Sequence, residues 1–365
     1  MSDHVDLESG HRPVNIPPGV CKNASPSWLS FTALRDRCLH RSFVSAGLRP
    51  ASVSLPDGTA VRCWVPRSPD PSLPSLLLLH GYGANATWQW APYVRPLLSA
   101  GFNLYVPDLL FFGGSSTPLP DRSEAFQAAS VVAAMEAVGA PPRLAGVVGV
   151  SYGGFVAYRI AAMFPGAAER VVLLCAGVCL EEGDLGAGMF ILSDVEEAAR
   201  VLLPRTPEKL RELVAVTHHS PPRCMPTCFI KDYINVMCSD YVVEKTDLIY
   251  ALIKDRKLSD LPKITQPTLI IWGEYDRVFP LELGHRLKRH LEENSQLVVI
   301  KNAGHAVNLE KPKEVIKHLK AFLVDSSTAG HQKRKATRWW FPTKVAGQGM
   351  KRLASNLPLL SREKA

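Results

Sequence analysis

The sequence predicts an α/β fold: a mostly parallel sheet flanked by helices, with a helical insertion late in the chain. Three observations carry that expectation. Short apolar runs alternate with helix-length segments between residues 46 and 178, the order that crossover connections between parallel strands require. The runs at 76–79, 104–106, 145–150 and 171–174 are apolar at consecutive positions, as strands buried on both faces read. The same grammar resumes at 263–325 after an interruption at 179–262 that carries a helical period instead.

Taken in order, the strand candidates are SVSL, TAVRCWV, SLLLLHG, FNLYVPD, LAGVVGVS and RVVLLCAG, followed later by PTLIIWGE at 267–274 and QLVVIKNAGH at 296–305. Each of the last two precedes an amphipathic stretch, LELGHRLKRHLEE and then KEVIKHLKAFL, which read as helices. In the interruption, SDVEEAARVLL and PEKLRELVAV open on Ser193, Asp194 or Thr206 as caps, or on a proline. It reads as a small helical cap over the sheet edge. The division expected is an arm at 1–45, a core at 46–178 and 263–325, a cap at 179–262 and a tail at 326–365. No repeat of solenoid or propeller length is visible.

Composition narrows the class. The chain has 365 residues, 46% hydrophobic and 21% charged, which excludes wholesale disorder, collagen and coiled coil. The net charge of +8 is located entirely in residues 326–365, which hold nine basic side chains and one acidic. The first 325 residues balance at zero, so no nucleic-acid partner is expected. The N-terminus lacks a basic segment followed by an apolar one, so the eight cysteines are expected as free thiols in a cytoplasmic protein. For the same reason the formal sequons at Asn23 and Asn85 read as chance. No apolar run approaches the ~20 residues of a membrane-spanning helix.

Four segments carry chemistry. Gly149-Val150-Ser151-Tyr152-Gly153 follows a buried apolar run and precedes the helical stretch FVAYRIAAMF. A serine on a sharp strand-to-helix turn needs small neighbours, and the helix N-terminus offers amides to a developing anion. A serine attacks only when a base takes its proton and a carboxylate orients that base. Asp276 stands just past the run TLIIW, and His305 just past QLVVIK; Glu274 and Asp108 are the rival acids. His80-Gly81-Tyr82-Gly83 ends another apolar run, and the oxyanion hole is assigned to the backbone amides of Tyr82 and Tyr152.

Together these segments resemble the α/β-hydrolase fold family over residues 46–325, closest to the capped monoacylglycerol lipases and esterases, including plant-type members with a loop like PDLLFFGGS. The resemblance implies an eight-stranded sheet, Ser151 as nucleophile, His305 as general base and Asp276 as the orienting acid, with no cofactor and no metal. Epoxide hydrolases and dehalogenases of the family use a carboxylate at the elbow, and position 151 is serine. Acyl-transferring relatives carry a His-x4-Asp motif; the residue five after His305 is Glu310. Hydrolysis of lipid esters such as monoacylglycerol, through an acyl-enzyme, is therefore the first reading. A hydrolase-fold receptor with little turnover is the second, and a lipid acyltransferase the third.

Other features have plainer readings. Met189, Phe190 and Leu192, with Ile191, are the candidate substrate wall in the cap. His218, His219, Cys224 and Cys228 cluster without the spacing of a known zinc site. The tail places Trp339, Trp340 and Phe341 among Lys333, Arg334, Lys335, Arg338 and Lys344, a composition that suits peripheral contact with an anionic membrane as well as a solvated tail. Trp28, Phe31, Leu34 and Cys38 fall near one face of a helix, for a membrane or for the core.

Overall fold

The computed structural model of the protein describes residues 30–187, 189–190 and 194–324. Its strands are β1 (Leu48–Ser54), β2 (Ala60–Pro66), β3 (Ser75–Leu79), β4 (Asn103–Pro107), β5 (Gly146–Val150), β6 (Val171–Leu174), β7 (Thr268–Gly273) and β8 (Ser295–Ile300). They form one eight-stranded sheet in the order β1-β2-β4-β3-β5-β6-β7-β8. β1, β2 and β4 pair antiparallel, and every later pairing is parallel.

The consecutive apolar runs occupy the centre, as their pattern requires. Leu76, Leu77, Leu78 and Leu79 are buried on both faces of β3, each contributing roughly 1.5–3 kcal/mol by leaving water. β1, at the edge, alternates buried and exposed positions only partly. From β3 the chain steps outward to β4, then crosses back over β3 to reach β5. That reversal is the switch point of the sheet, where the carboxyl ends of two neighbouring strands open a crevice. The register Leu79↔Gly149 therefore brings the loop after β3 beside Ser151.

Helices cover the sheet: α1 (Phe31–Ser45), α2 (Ala86–Leu98), α3 (Glu124–Ala137) and α4 (Tyr152–Met163). α2 packs on α1, and α3 packs on α4. α1 is part of the folded unit, since Phe43 is fully buried and Asp36 accepts the indole N–H of Trp88 at 2.9 Å. Phe31 and Leu34 stay exposed, and Trp28 lies outside the described residues. Asn85, one of the two sequon asparagines, caps α2 by accepting the Trp88 amide at 3.1 Å.

Between β6 and β7 stand α5 (Gly183–Gly186), α6 (Val195–Leu202), α7 (Pro207–Thr217), α8 (Thr227–Tyr233) and α9 (Val242–Ile253). Asp194 and Thr206 cap α6 and α7 through the amides of Glu197 and Lys209; Ser193 lies outside the described residues. The chain closes with α10 (Leu281–Leu291), α11 (Val307–Glu310) and α12 (Pro312–Val324), the last packed against α2. Arg256, three residues past α9, ties this insertion to the core through Glu124 at 3.2 Å. The cysteines among the described residues are all free thiols. The basic tail with Trp339, Trp340 and Phe341 lies outside the described residues.

Candidate active site

Ser151 sits between β5 and α4 with φ +52° and ψ −122°, a conformation that non-glycine residues avoid. Two contacts hold it there: its amide donates to Leu174 O, and its carbonyl accepts from Gly154, both at 2.8 Å. The turn is tight enough to exclude side chains at its flanks. A Cβ on Gly149 would lie 2.2 Å from Gly153 O, and one on Gly153 would lie 2.4 Å from His80 O. The glycines thus let the elbow close while its strain is borne by neighbouring structure.

The strand ends of β7 and β8 supply the partners. Ser151 Oγ lies 2.8 Å from His305 Nε2, and His305 Nδ1 lies 2.8 Å from Asp276 Oδ2. With Nδ1 donating to the carboxylate, Nε2 is left as the acceptor for the serine proton. The second oxygen, Oδ1, accepts the amides of Val278 and Phe279 at 2.9 and 2.8 Å. The carboxylate is therefore aimed by its own backbone turn. The Phe279 ring stands edge-on to His305 at 5.4 Å.

Neither rival acid reaches the imidazole. Glu274 accepts the Asn302 amide at 3.1 Å. Asp108 is buried and accepts Ala86 N–H at 2.9 Å; burial pushes its carboxyl up to about 6. Cys175, Asp276 and His305 bring one ligand atom each within 4.8 Å of one another. They suit a metal poorly: burial holds the Cys175 thiol protonated, and His305 Nδ1 is committed to Asp276. The His218, His219, Cys224, Cys228 cluster is dispersed into other roles. His218 pairs with Thr217 Oγ1 at 2.9 Å, His219 stacks on Tyr275, and both cysteines are exposed.

The loop after β3 is braced by side chains that carry no sequence signature. Gln89 Oε1 accepts Gly81 N–H at 2.7 Å, and its Nε2 donates to Tyr82 O at 3.2 Å. That fixes the peptide planes on either side of the Tyr82 amide. His80 lies fully buried; its Nε2 accepts Leu109 N–H at 2.9 Å, and Nδ1 donates to Gly81 O at 2.8 Å. The ring must be neutral to accept, and burial pushes its pKa down to about 4. The Tyr152 amide opens α4, where no intrahelical acceptor exists.

Two spaces meet at Ser151. One is an open cavity of about 600 Å3 whose walls include Gly81, Trp88, Leu213, Phe229, Ile230 and His305. The other is a recess of about 50 Å3 lined by apolar side chains such as Leu180, Phe190, Ile249 and Phe279. Of the expected substrate wall, Phe190 lines the recess. Met189 packs on the core beside Arg286 without lining either space, and Ile191 and Leu192 lie outside the described residues.

A strained serine, an imidazole and a buried carboxylate stand in hydrogen-bonded sequence, an arrangement consistent with a Ser-His-Asp triad. The alpha/beta hydrolase fold family matches residues 74–312, and the chain belongs to that family. It is 26% identical to mouse (Mus musculus) monoacylglycerol lipase ABHD6 over 270 residues, covering 71% of this chain and 78% of the relative. Lipase 3 of Moraxella sp. (strain TA144) is 26% identical over 259 residues, covering 68% and 76%. Among solved structures, a membrane phospholipase A described as a bacterial virulence factor superposes with a TM-score of 0.66 at 26% identity, covering 80% of this chain and 91% of that one. An esterase from Exiguobacterium antarcticum shares the fold, with a TM-score of 0.61 at 19% identity, covering 75% and 99%. Family and site together make the protein a carboxylic ester hydrolase.

Proposed function

We propose that the protein hydrolyses lipid esters of the monoacylglycerol class through an acyl-enzyme on Ser151. The observation that carries the reading is the continuous relay from Ser151 Oγ through His305 to Asp276 Oδ2, at 2.8 Å in each link. His305 Nε2 takes the serine proton as Oγ bonds to the ester carbonyl carbon. The amides of Tyr82 and Tyr152 receive the oxyanion, and the tetrahedral intermediate collapses as Nε2 returns the proton to the leaving alcohol. Water then enters by the same route and releases the acid.

The lipid preference is supported by the relatives and by the cavity, whose volume falls within the ~300–1,000 Å3 of small-molecule sites and whose lining is largely apolar. Acyl transfer is less well supported, because the carboxylate of Glu310 is occupied by three backbone amides rather than open to an acceptor. A series of esters from acetyl to long-chain monoacylglycerol tests the preference. Higher kcat/KM on the long chains supports it; far faster turnover of acetyl or butyryl esters overturns it. No helix among the described residues is long and apolar enough to cross a membrane. Peripheral attachment through the tail rests on its composition and is tested by salt-dependent vesicle binding of the chain with and without residues 326–365.

A further inference from the structure

The loop that carries the Tyr82 amide is held at three consecutive carbonyls, and the third holder comes from the insertion. Gly81 O accepts His80 Nδ1 and Tyr82 O accepts Gln89 Nε2, both from the core. Gly83 O accepts the hydroxyl of Tyr233, the last residue of α8, at 2.7 Å. Packing does not fix this position: Gly83 has φ +87°, and a Cβ added to it would meet nothing within 4 Å. A second bond runs between the same parts, because the Tyr82 hydroxyl donates to Lys245 O in α9. The residue assigned to the oxyanion is thus tied to two helices of the insertion, once through its side chain and once through the next carbonyl.

α8 is itself seated by the N-terminal helix. Asp232 Oδ2 accepts the Thr32 amide at 2.8 Å, in the first turn of α1, where amides have no intrahelical acceptor. The Phe31 and Phe229 rings meet edge to face at 4.6 Å. α1 also reaches the loop from its other side. Asp36 accepts Trp88 Nε1, Arg35 lies over the Trp88 ring at 5.1 Å, and that ring stands edge-on to Tyr233 at 5.6 Å. α1 precedes residues 74–312, the stretch that matches the family, so this brace comes from outside that stretch.

We infer that Tyr233 is a positioning residue for the oxyanion amide of Tyr82, held on the loop by α1. The inference deepens the proposed function and rests on it. An oxyanion donor contributes only when it is aimed in advance at the place where charge develops, and a misplacement of ~1 Å costs on the order of 100-fold in rate. Gly83 lies one peptide beyond Tyr82, and a glycine can turn freely there. The Tyr233 hydroxyl removes that freedom, while the bond to Lys245 O fixes the far end of the Tyr82 side chain. Tyr233 also lines the large cavity, so contact with substrate is the rival role. The two roles separate kinetically. An aimed donor acts in the transition state and moves kcat, whereas contact shared by ground and transition states moves KM.

The test is Tyr233→Phe in the full chain, which deletes the hydroxyl and keeps the ring against Trp88. One readout is steady-state hydrolysis of nitrophenyl butyrate. The other is inhibition by octyl trifluoromethyl ketone, whose carbonyl carbon adds to Ser151 Oγ and leaves an oxyanion with no leaving group. The expected result is a kcat lower by about tenfold with KM changed by less than about twofold, and a weaker inhibition by the ketone of similar factor. Asp232→Ala, which removes the contact with Thr32, should move kcat and the inhibition constant in the same direction, and is read alone should Tyr233→Phe fail to fold. Unchanged kcat and inhibition in Tyr233→Phe overturn the positioning role, as does a KM that rises while kcat holds. Wild-type values in a folded Asp232→Ala overturn the part given to α1. A folded wild type that hydrolyses no ester and resists a fluorophosphonate probe overturns the hydrolase reading itself.

Discussion

Glu310 Oε2 lies 2.6 Å from the amide nitrogen of Gly304, the residue that precedes His305. The same carboxylate accepts the amides of His219 and Ser220 at 3.2 and 3.0 Å, and Ala306 donates to Thr217 O at 2.8 Å. One side chain thus joins the loop that carries the imidazole to the strip of the insertion that follows α7. Burial alone would raise the Glu310 carboxyl, but the three amides hold it below its usual range. Glu310→Ala is expected to cost about 3 kcal/mol of stability and to lower kcat by roughly 10- to 100-fold, because a small misplacement of a catalytic group costs that much. Urea unfolding and steady-state kinetics check both; an Ala variant with wild-type kcat would mean the loop is held by other contacts.

The elbow makes a sharper demand. Gly153→Ala puts a methyl 2.4 Å from His80 O and Leu79 O, both backbone atoms that cannot yield without moving β3. The variant is expected to lose activity by more than 100-fold or to fail to fold, whereas Gly166→Ala, with open space around the added carbon, should keep the wild-type melting temperature. Circular dichroism melts and ester hydrolysis of the two variants decide it.

Acid sensitivity should come in part from His80. Its folded pKa, about 4, is depressed from 6.5, so its contribution to stability is complete above pH 6.5 and is lost as pH falls toward 4, by about 3 kcal/mol. Asp108, raised from 3.8 to about 6, acts oppositely, gaining stability as pH falls through 6. His80→Gln removes the first slope and leaves the second. Unfolding free energies at pH 7 and 4.5 should therefore fall less, or rise, in the variant; an identical slope in both proteins would remove His80 from the account.

Much of the candidate site's geometry was legible because triad chemistry asks for particular residues at strand ends. Ser151, Asp276 and His305 each stand where an apolar run stops, and small residues flank the serine for steric reasons visible in sequence. Gln89 and the bracing by Glu310 were not legible as roles, since each depends on which backbone group a side chain meets across the fold. The spacing of Glu310 from His305 was visible, yet its partners at 219 and 220 come from a distant segment. Met189 shows the limit of composition: an apolar cluster names candidates, and only packing separates Phe190, which lines the recess, from its neighbour. α1 was ambiguous for a related reason, because its apolar positions divide between buried Phe43 and exposed Phe31 and Leu34.

Chain-length selectivity should respond to the cavity wall. Leu213 lines the large cavity and is only partly buried, so Leu213→Trp can add bulk there without overpacking the central core. The variant should shift the preferred acyl chain shorter and raise KM for long chains several-fold, on the scale of the 1–3 kcal/mol that pocket contacts contribute. A chain-length profile unchanged from wild type would place the acyl group elsewhere.

The most direct test is labelling of the full chain with a fluorophosphonate, which reports an activated serine without knowledge of the natural substrate. Wild type should be labelled at Ser151, Ser151→Ala should not be labelled while remaining folded, and His305→Gln should react at least 1,000-fold more slowly, on the order seen when a triad base is lost. Labelling that persists in Ser151→Ala, or a folded wild type that does not react, would contradict the assignment of Ser151 as a nucleophile driven by His305 and Asp276, and would turn attention to a ligand-binding protein built on the same fold.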